Sequence, residues 1–303
     1  MESHVLSSDS PSSQQHVAVA RYYNYTLPFY RWFWHGRTWG LHYGLAEPWT
    51  RDAGDEILNT NRFLARVAKI DRTCSVLDAG CGIGGSAVWI ASHLGADVTG
   101  ITLSERQLLR ANELAARHGV ARQVRFELRD YERSGYPEES FDVVWAIESA
   151  CYAVDKPRLV RELYRLLRPR GRLVVADGFL RRQPLAGETE DFRTFLRGLV
   201  LPNLAEGGAF EAALREAGFC EVRRWDKTLS ATPSSLRMHR RCSAGYPLSR
   251  LGELAGVIPS LLTRNIRAGV VQLGLVRSGL IAYEVFCAVK PVQRSGFVAE
   301  QTL

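Results

Sequence analysis

The chain predicts an α/β fold: a doubly wound, mostly parallel, seven-stranded sheet carrying a helical cap and insertions. Three observations predict it. Short apolar runs alternate with helix-period segments from Cys74 to Ala176. The first run passes through closely spaced glycines straight into a helical segment. Two further apolar runs, Val222 to Thr228 and Ile281 to Lys290, follow and enclose a stretch of helical character.

Taken in order, residues 1–18 are polar and Ser-rich, which predicts a disordered tail and lacks the basic-then-apolar layout of a signal peptide. Residues 19–50 form an aromatic N-terminal segment, with Tyr22, Tyr23, Tyr25, Phe29, Tyr30, Trp32, Phe33, Trp34, Trp39, Tyr43 and Trp49. Four of the chain's seven tryptophans fall in it, ahead of the core. Two readings stand: a helix packing its rings on the domain, or a lid whose π faces attract a cationic ligand. Ile57, Leu58, Phe63, Leu64 and Val67 give a helix before the first strand, Cys74 to Leu77. After the glycine turn come a strand at 97–102 and a helix from Glu105 to His118. Ser104 caps that helix and Gly119 closes it. Strands at 124–128 and 141–146, a helix from Lys156 to Leu167, a turn at 168–171 and a strand from Arg172 to Ala176 complete a core spanning 51–180. Residues 181–291 supply a cap and the last two strands, and 292–303 a tail.

At 303 residues, one α/β core with an elaborated cap is expected rather than two full domains. The net charge of +7 comes from arginines spread along the chain, with no nucleic-acid module among them. Nucleic acid is therefore not expected as a partner, whereas an anionic ligand or peripheral contact with an acidic membrane stays open, as does homo-oligomerisation. The six cysteines carry no C-x-x-C pair and no metal-like spacing, which reads as reduced thiols of a cytoplasmic protein without a metal site. No apolar run approaches the ~18 residues that span a bilayer.

The chemistry centres on Val76-Leu77-Asp78-Ala79-Gly80-Cys81-Gly82-Ile83-Gly84-Gly85-Ser86. Gly80, Gly82 and Gly85 fit G-x-G-x-x-G, which allows a tight turn and close backbone approach to a ligand. With Asp78 two residues ahead, the stretch resembles motif I of class I S-adenosylmethionine (SAM) methyltransferases, whose sheets are Rossmann-like. The resemblance implies SAM as cofactor, its methionine end held by Asp78, Gly80, Cys81 and Gly82.

Gly100-Ile101-Thr102-Leu103-Ser104 followed by Gln107 is similar to the G-x-T-L-S-x-x-Q string of cyclopropane-fatty-acid synthase, sterol C24-methyltransferase and γ-tocopherol methyltransferase relatives. By that resemblance Thr102, Leu103 and Gln107 hold the ribose, in place of the acid that dinucleotide-binding folds use there. Asp130 and Tyr131 stand where the class places its adenine contacts, and Ile147 borders the cofactor.

Glu148 is the catalytic candidate. It follows an apolar strand, in Ala146-Ile147-Glu148-Ser149-Ala150-Cys151-Tyr152, which resembles the sterol C24-methyltransferase stretch. A partly buried carboxylate there steadies a cation formed when an alkene attacks the SAM methyl, then removes a proton. The alternative is a glutamate that holds the SAM amino group or the lid. Tyr152 stands where the sterol enzymes carry histidine. Tyr22, Trp39, His42 and Tyr152 are the candidate substrate contacts.

The expected activity is SAM-dependent C-methylation of a small lipophilic molecule, such as a sterol, a prenyl or terpenoid chain or a prenylated ring. O- or N-methylation of a natural product is one alternative. A prenyl diphosphate held by Arg237, Arg240 and Arg241 is another, and a non-enzymatic SAM-binding partner subunit a third.

Overall fold

The computed structural model describes residues 11–33 and 38–292, the side chains of 31–33 excepted. The expected tails at 1–10 and 293–303, Trp34, and the side chains of Trp32 and Phe33 lie outside the described residues.

Helix α1 (Pro11–Phe33) leads into α2 (Ala53–Val67), β1 (Ser75–Ala79), α3 (Gly85–Leu94), β2 (Asp97–Thr102), α4 (Glu105–Arg117), β3 (Val124–Leu128) and β4 (Phe141–Ile147). Then come α5 (Lys156–Leu166), β5 (Leu167–Leu180), α6 (Thr189–Leu199), α7 (Gly207–Glu216), β6 (Cys220–Asp226), α8 (Thr228–Leu254), α9 (Ser260–Arg277) and β7 (Ile281–Val289). The seven strands form one sheet in the order β3-β2-β1-β4-β5-β7-β6. All pairings are parallel except those of β7, which runs antiparallel to β5 and β6.

Strand alternation builds two cores. Val76, Val143, Trp145, Val174 and Val285 face α2, α3 and α4. Leu77, Val144, Leu173, Val175 and Phe286 face α5 and α7 on the other side. Each fully buried side chain of this kind contributes about 1.5–3 kcal/mol. Because both faces are covered, the carboxyl ends of β1, β2 and β4 are left as the open edge where ligands sit in such sheets.

Two expected boundaries need correction. Residues 11–18 belong to α1, not to a disordered tail: His16 and Val19 are buried, and the Gln15 amide donates to Val200 O at 2.7 Å. The fifth strand runs from Leu167 to Leu180 rather than from Arg172 to Ala176. Leu167 pairs with Phe141, the chain leaves register at 168–171, and antiparallel pairing with β7 carries the ladder on to Leu180.

The insertion folds as the hairpin α8–α9, which packs on α6 to form the cap. Its helices approach closely because glycines sit at the contacts. A side chain at Gly198 would meet the Arg264 carbonyl, and one at Gly269 would meet Cys242 Sγ. Among the described residues no helix is long and apolar enough to cross a membrane.

Candidate active site

The turn after β1 borders a first cavity. Gly80 and Gly82 have φ of 92° and 54°, in the left-handed region that glycine adopts freely. A Cβ on Gly82 would meet nothing nearer than Gln107 Nε2 at 3.9 Å, so this backbone faces open space. Asp78 lies beneath it, buried, with Oδ2 lacking a hydrogen-bond partner among the described residues. Burial raises its carboxyl to about 7. An orphaned buried acceptor beside a bare glycine cradle suits a cationic, hydrogen-bond-donating ligand such as an ammonium group.

Across the cavity, the first turn of α4 sets Gln107. Ser104 caps the helix by accepting from the Gln107 N–H at 3.1 Å. Thr102 Oγ1 donates to Gln107 Oε1 at 2.7 Å, which fixes the amide and leaves Nε2 for a ligand. Cys81, Leu103, Tyr131 and Ile147 border the same space. The Tyr131 hydroxyl donates to Ser149 O at 2.7 Å.

Asp130 does not border this cavity. Its carboxylate accepts from the Glu132 N–H at 2.7 Å and lies 3.2 Å from His16 Nδ1, which makes it an anchor for α1. Sequence reasoning placed His16 in a tail and missed that anchor.

The second cavity, of about 260 Å³, lies between the sheet edge, α1 and the cap. Its walls are mostly apolar, with Phe195, Leu199, Leu201, Leu204 and Ile266 among them. Tyr23, Leu41, Glu148 and Tyr152 border both cavities, so the two spaces meet at these side chains. The Tyr23 and Tyr152 hydroxyls are 2.8 Å apart.

Glu148 ends β4. Its N–H still donates to Ala176 O at 2.8 Å, and a φ of 47° then turns the chain away from the sheet. That left-handed conformation is costly for a residue with a Cβ and marks a constrained site. Burial raises the carboxyl to about 8, despite the bond that Oε1 accepts from the Tyr43 N–H. Asp177 contributes a like charge to the upward shift. Asp177 is itself buried and raised to about 6, held by the N–H groups of Cys151 and Gly178. Sequence reasoning passed over Asp177, although its place beside the end of β4 in the sheet was a usable signal.

The expected substrate contacts separate. Tyr152 borders the apolar cavity. Trp39 and His42 border the glycine-turn cavity instead, and Tyr22 borders neither, being fully buried within the protein. His42 Nδ1 pairs with Tyr43 O at 2.9 Å, and burial lowers its imidazole to about 4, so the ring is neutral and Nε2 is an acceptor without a partner among the described residues. The basic cluster also splits. Arg237 forms a two-pronged pair with Glu56 of α2, while Arg240 and Arg241 are exposed and only Arg241 touches the apolar cavity.

A family profile described as a methyltransferase domain matches residues 77–175, which hold the glycine turn, the α4 start and Glu148. The chain is 36% identical over 185 residues to 27-O-demethylrifamycin SV methyltransferase of Amycolatopsis mediterranei (strain S699), covering 59% of this chain and 67% of that one. It is 33% identical over 223 residues to cycloartenol-C-24-methyltransferase of Arabidopsis thaliana, covering 70% and 62%. The fold resembles the cyclopropane synthase MmaA2 of Mycobacterium tuberculosis, with a TM-score of 0.78, 17% identity and coverage of 91% and 98%. At that identity the likeness speaks for the fold alone. With the matched profile and these relatives, the chain belongs to the class I methyltransferases that use S-adenosyl-L-methionine.

Proposed function

We propose that the protein methylates carbon on a small lipophilic substrate, with Glu148 as the catalytic carboxylate. The observation that carries this reading is that Glu148 borders both cavities, one suited to the cofactor and one apolar. The cofactor supplies an electrophilic methyl on a sulfonium. Asp78 accepts from its ammonium group, and the Gly80–Gly82 backbone lets it approach closely. Thr102 orients Gln107, which with Leu103 holds the ribose, while Cys81, Tyr131 and Ile147 pack around the nucleoside. The apolar walls hold the substrate carbon in line and exclude water. Tyr152 and Tyr23 close the junction. Glu148 stabilises positive charge that develops on the substrate and then takes the proton released when the double bond reforms.

The test incubates the purified full chain with methyl-labelled SAM and a lipid extract of its source cells, followed by mass spectrometry. A product with a new carbon–methyl bond, lost in Glu148→Gln, is expected. Label on oxygen would replace this reading with O-methylation, which the name of the rifamycin relative favours. In that case Glu148 would serve to deprotonate a hydroxyl.

A further inference from the structure

One polar cluster in the wall of the apolar cavity has no part in the methyl transfer just described. Tyr22 and Tyr30 of α1 stand with their hydroxyl oxygens 2.6 Å apart. Asn265 of α9 reaches both, with Nδ2 2.6 Å from the Tyr22 hydroxyl and 3.0 Å from that of Tyr30.

The three atoms form a tight triangle, so one amide N–H is shared between the two hydroxyl oxygens, one hydroxyl donates to the other, and one hydroxyl proton is left over. The opposite placement of the amide, oxygen toward the hydroxyls, offers only two protons for the three contacts, so the nitrogen faces them. Tyr22 is fully buried and does not border the cavity, whereas Tyr30 and Asn265 do. Tyr22 therefore donates to Tyr30, and the spare proton sits on Tyr30. The Asn265 carbonyl oxygen accepts nothing among the described residues. A spare donor and a spare acceptor stand side by side in a mostly apolar wall.

We propose that Tyr30 and Asn265 are a docking point for a neutral hydroxyl carried by the substrate. The Tyr30 O–H donates to the substrate oxygen, and the Asn265 carbonyl accepts the substrate's hydroxyl proton. The substrate class is then a lipophilic alcohol or phenol, in preference to a hydrocarbon, an ether or a phosphate ester. This rests on the reading that the apolar cavity receives the substrate. Tyr22, expected as a substrate contact, lies behind Tyr30 and does not border the cavity.

The test titrates the full chain with naphthalene, 2-naphthol, 2-methoxynaphthalene and 2-naphthyl phosphate, followed by fluorescence. A hydroxyl that meets both partners should bind about tenfold tighter than the bare hydrocarbon. The methyl ether, which cannot donate to Asn265, should fall between them. Tyr30→Phe should reduce the preference for 2-naphthol and erase that of the ether over naphthalene, and Tyr22→Phe should keep both, because the Tyr30 proton does not depend on Tyr22. Should Tyr30→Phe fail to fold, Asn265→Ala serves in its place and should reduce the alcohol to the affinity of the ether. Equal binding of naphthalene and 2-naphthol, an undiminished preference for 2-naphthol in folded Tyr30→Phe or Asn265→Ala, or tightest binding of the phosphate would each overturn the proposal alone. Failure of all four probes to bind would overturn the cavity reading and the proposal with it.

Discussion

The Tyr43 amide donates to Glu148 Oε1 at 2.6 Å, joining the aromatic N-terminal segment to the end of β4 across 105 residues. One carboxylate oxygen is thus held by the backbone, and Glu148 cannot swing freely between the two cavities it borders. The aromatic segment is therefore packed on the core and reaches Glu148 through its backbone.

Glu148→Gln should lower kcat by at least about 100-fold while leaving SAM affinity nearly unchanged, since general acid–base groups contribute on the order of 10²–10⁴. Steady-state kinetics and calorimetric titration with SAM check this. Because burial raises the carboxyl to about 8, kcat/KM should rise with pH toward a plateau above that value, and the limb should vanish in the variant. Stability should follow the opposite course. Below about pH 4.5 folded and unfolded chains both carry the proton. Above it only the folded chain holds the proton, so stability falls as pH rises toward about 8. The loss is on the order of a few kcal/mol, and Glu148→Gln should flatten it. Unchanged turnover in the variant would remove Glu148 from the chemistry.

The sheet and the cofactor end of the site were legible in the sequence because short-range patterns encode them: apolar alternation, glycine spacing, a capped helix start. Glu148 was legible for the same reason, as the residue that ends an apolar strand. What was not legible depends on which distant segments meet. Asp130 has the right place in the chain, yet His16 of α1 occupies its carboxylate. Tyr22 and Tyr30 share an aromatic segment in which nothing local says which ring borders the cavity, and Asn265 comes from the far side of the insertion. Arg237 sits in a basic cluster, and only the fold brings it to Glu56 of α2 as partner.

Gly82→Ala tests the cradle. A Cβ there meets no protein atom within 3.9 Å, so the variant should fold, paying only the ~1–2 kcal/mol of a left-handed alanine. The methyl group would project into the space that the cofactor needs, and SAM affinity should fall at least about tenfold. Thermal unfolding and calorimetric titration separate the two effects. Undiminished affinity would place the cofactor elsewhere.

His16 should make the docking of α1 depend on pH. Burial opposes its charge, but Glu132 at 3.4 Å and Asp130 at 3.2 Å overcome that and raise the imidazole above its usual 6.5. Arg133 is a nearby cation working in the other direction. Asp130 is itself raised by burial, with His16 pulling it back. The stabilisation is fully present below pH 6.5 and is lost as pH rises through the raised value. Hydrogen exchange in residues 11–20 should speed up across that window, and His16→Gln should remove the pH dependence. Since Tyr23 and Tyr30 of the same helix border the apolar cavity, substrate affinity should weaken in parallel.

Arg237 separates an alcohol substrate from a diphosphate. Its pair with Glu56 leaves the arginine side chain 30% exposed and the glutamate 8% exposed. Removing the arginine strands a nearly buried carboxylate, which costs about 3–5 kcal/mol in a fully buried pair and less here, where solvent reaches one partner. Arg237→Leu should therefore destabilise by about 1–3 kcal/mol, and adding Glu56→Leu should recover most of that loss, since no uncompensated charge remains. If the arginine is structural, kcat/KM on the substrate found by labelling should stay within about twofold per folded molecule in both variants. If it instead binds a diphosphate, KM should rise by more than about tenfold in Arg237→Leu and stay high in the double variant. A purely structural pair is restored by removing its partner, and a ligand contact is not.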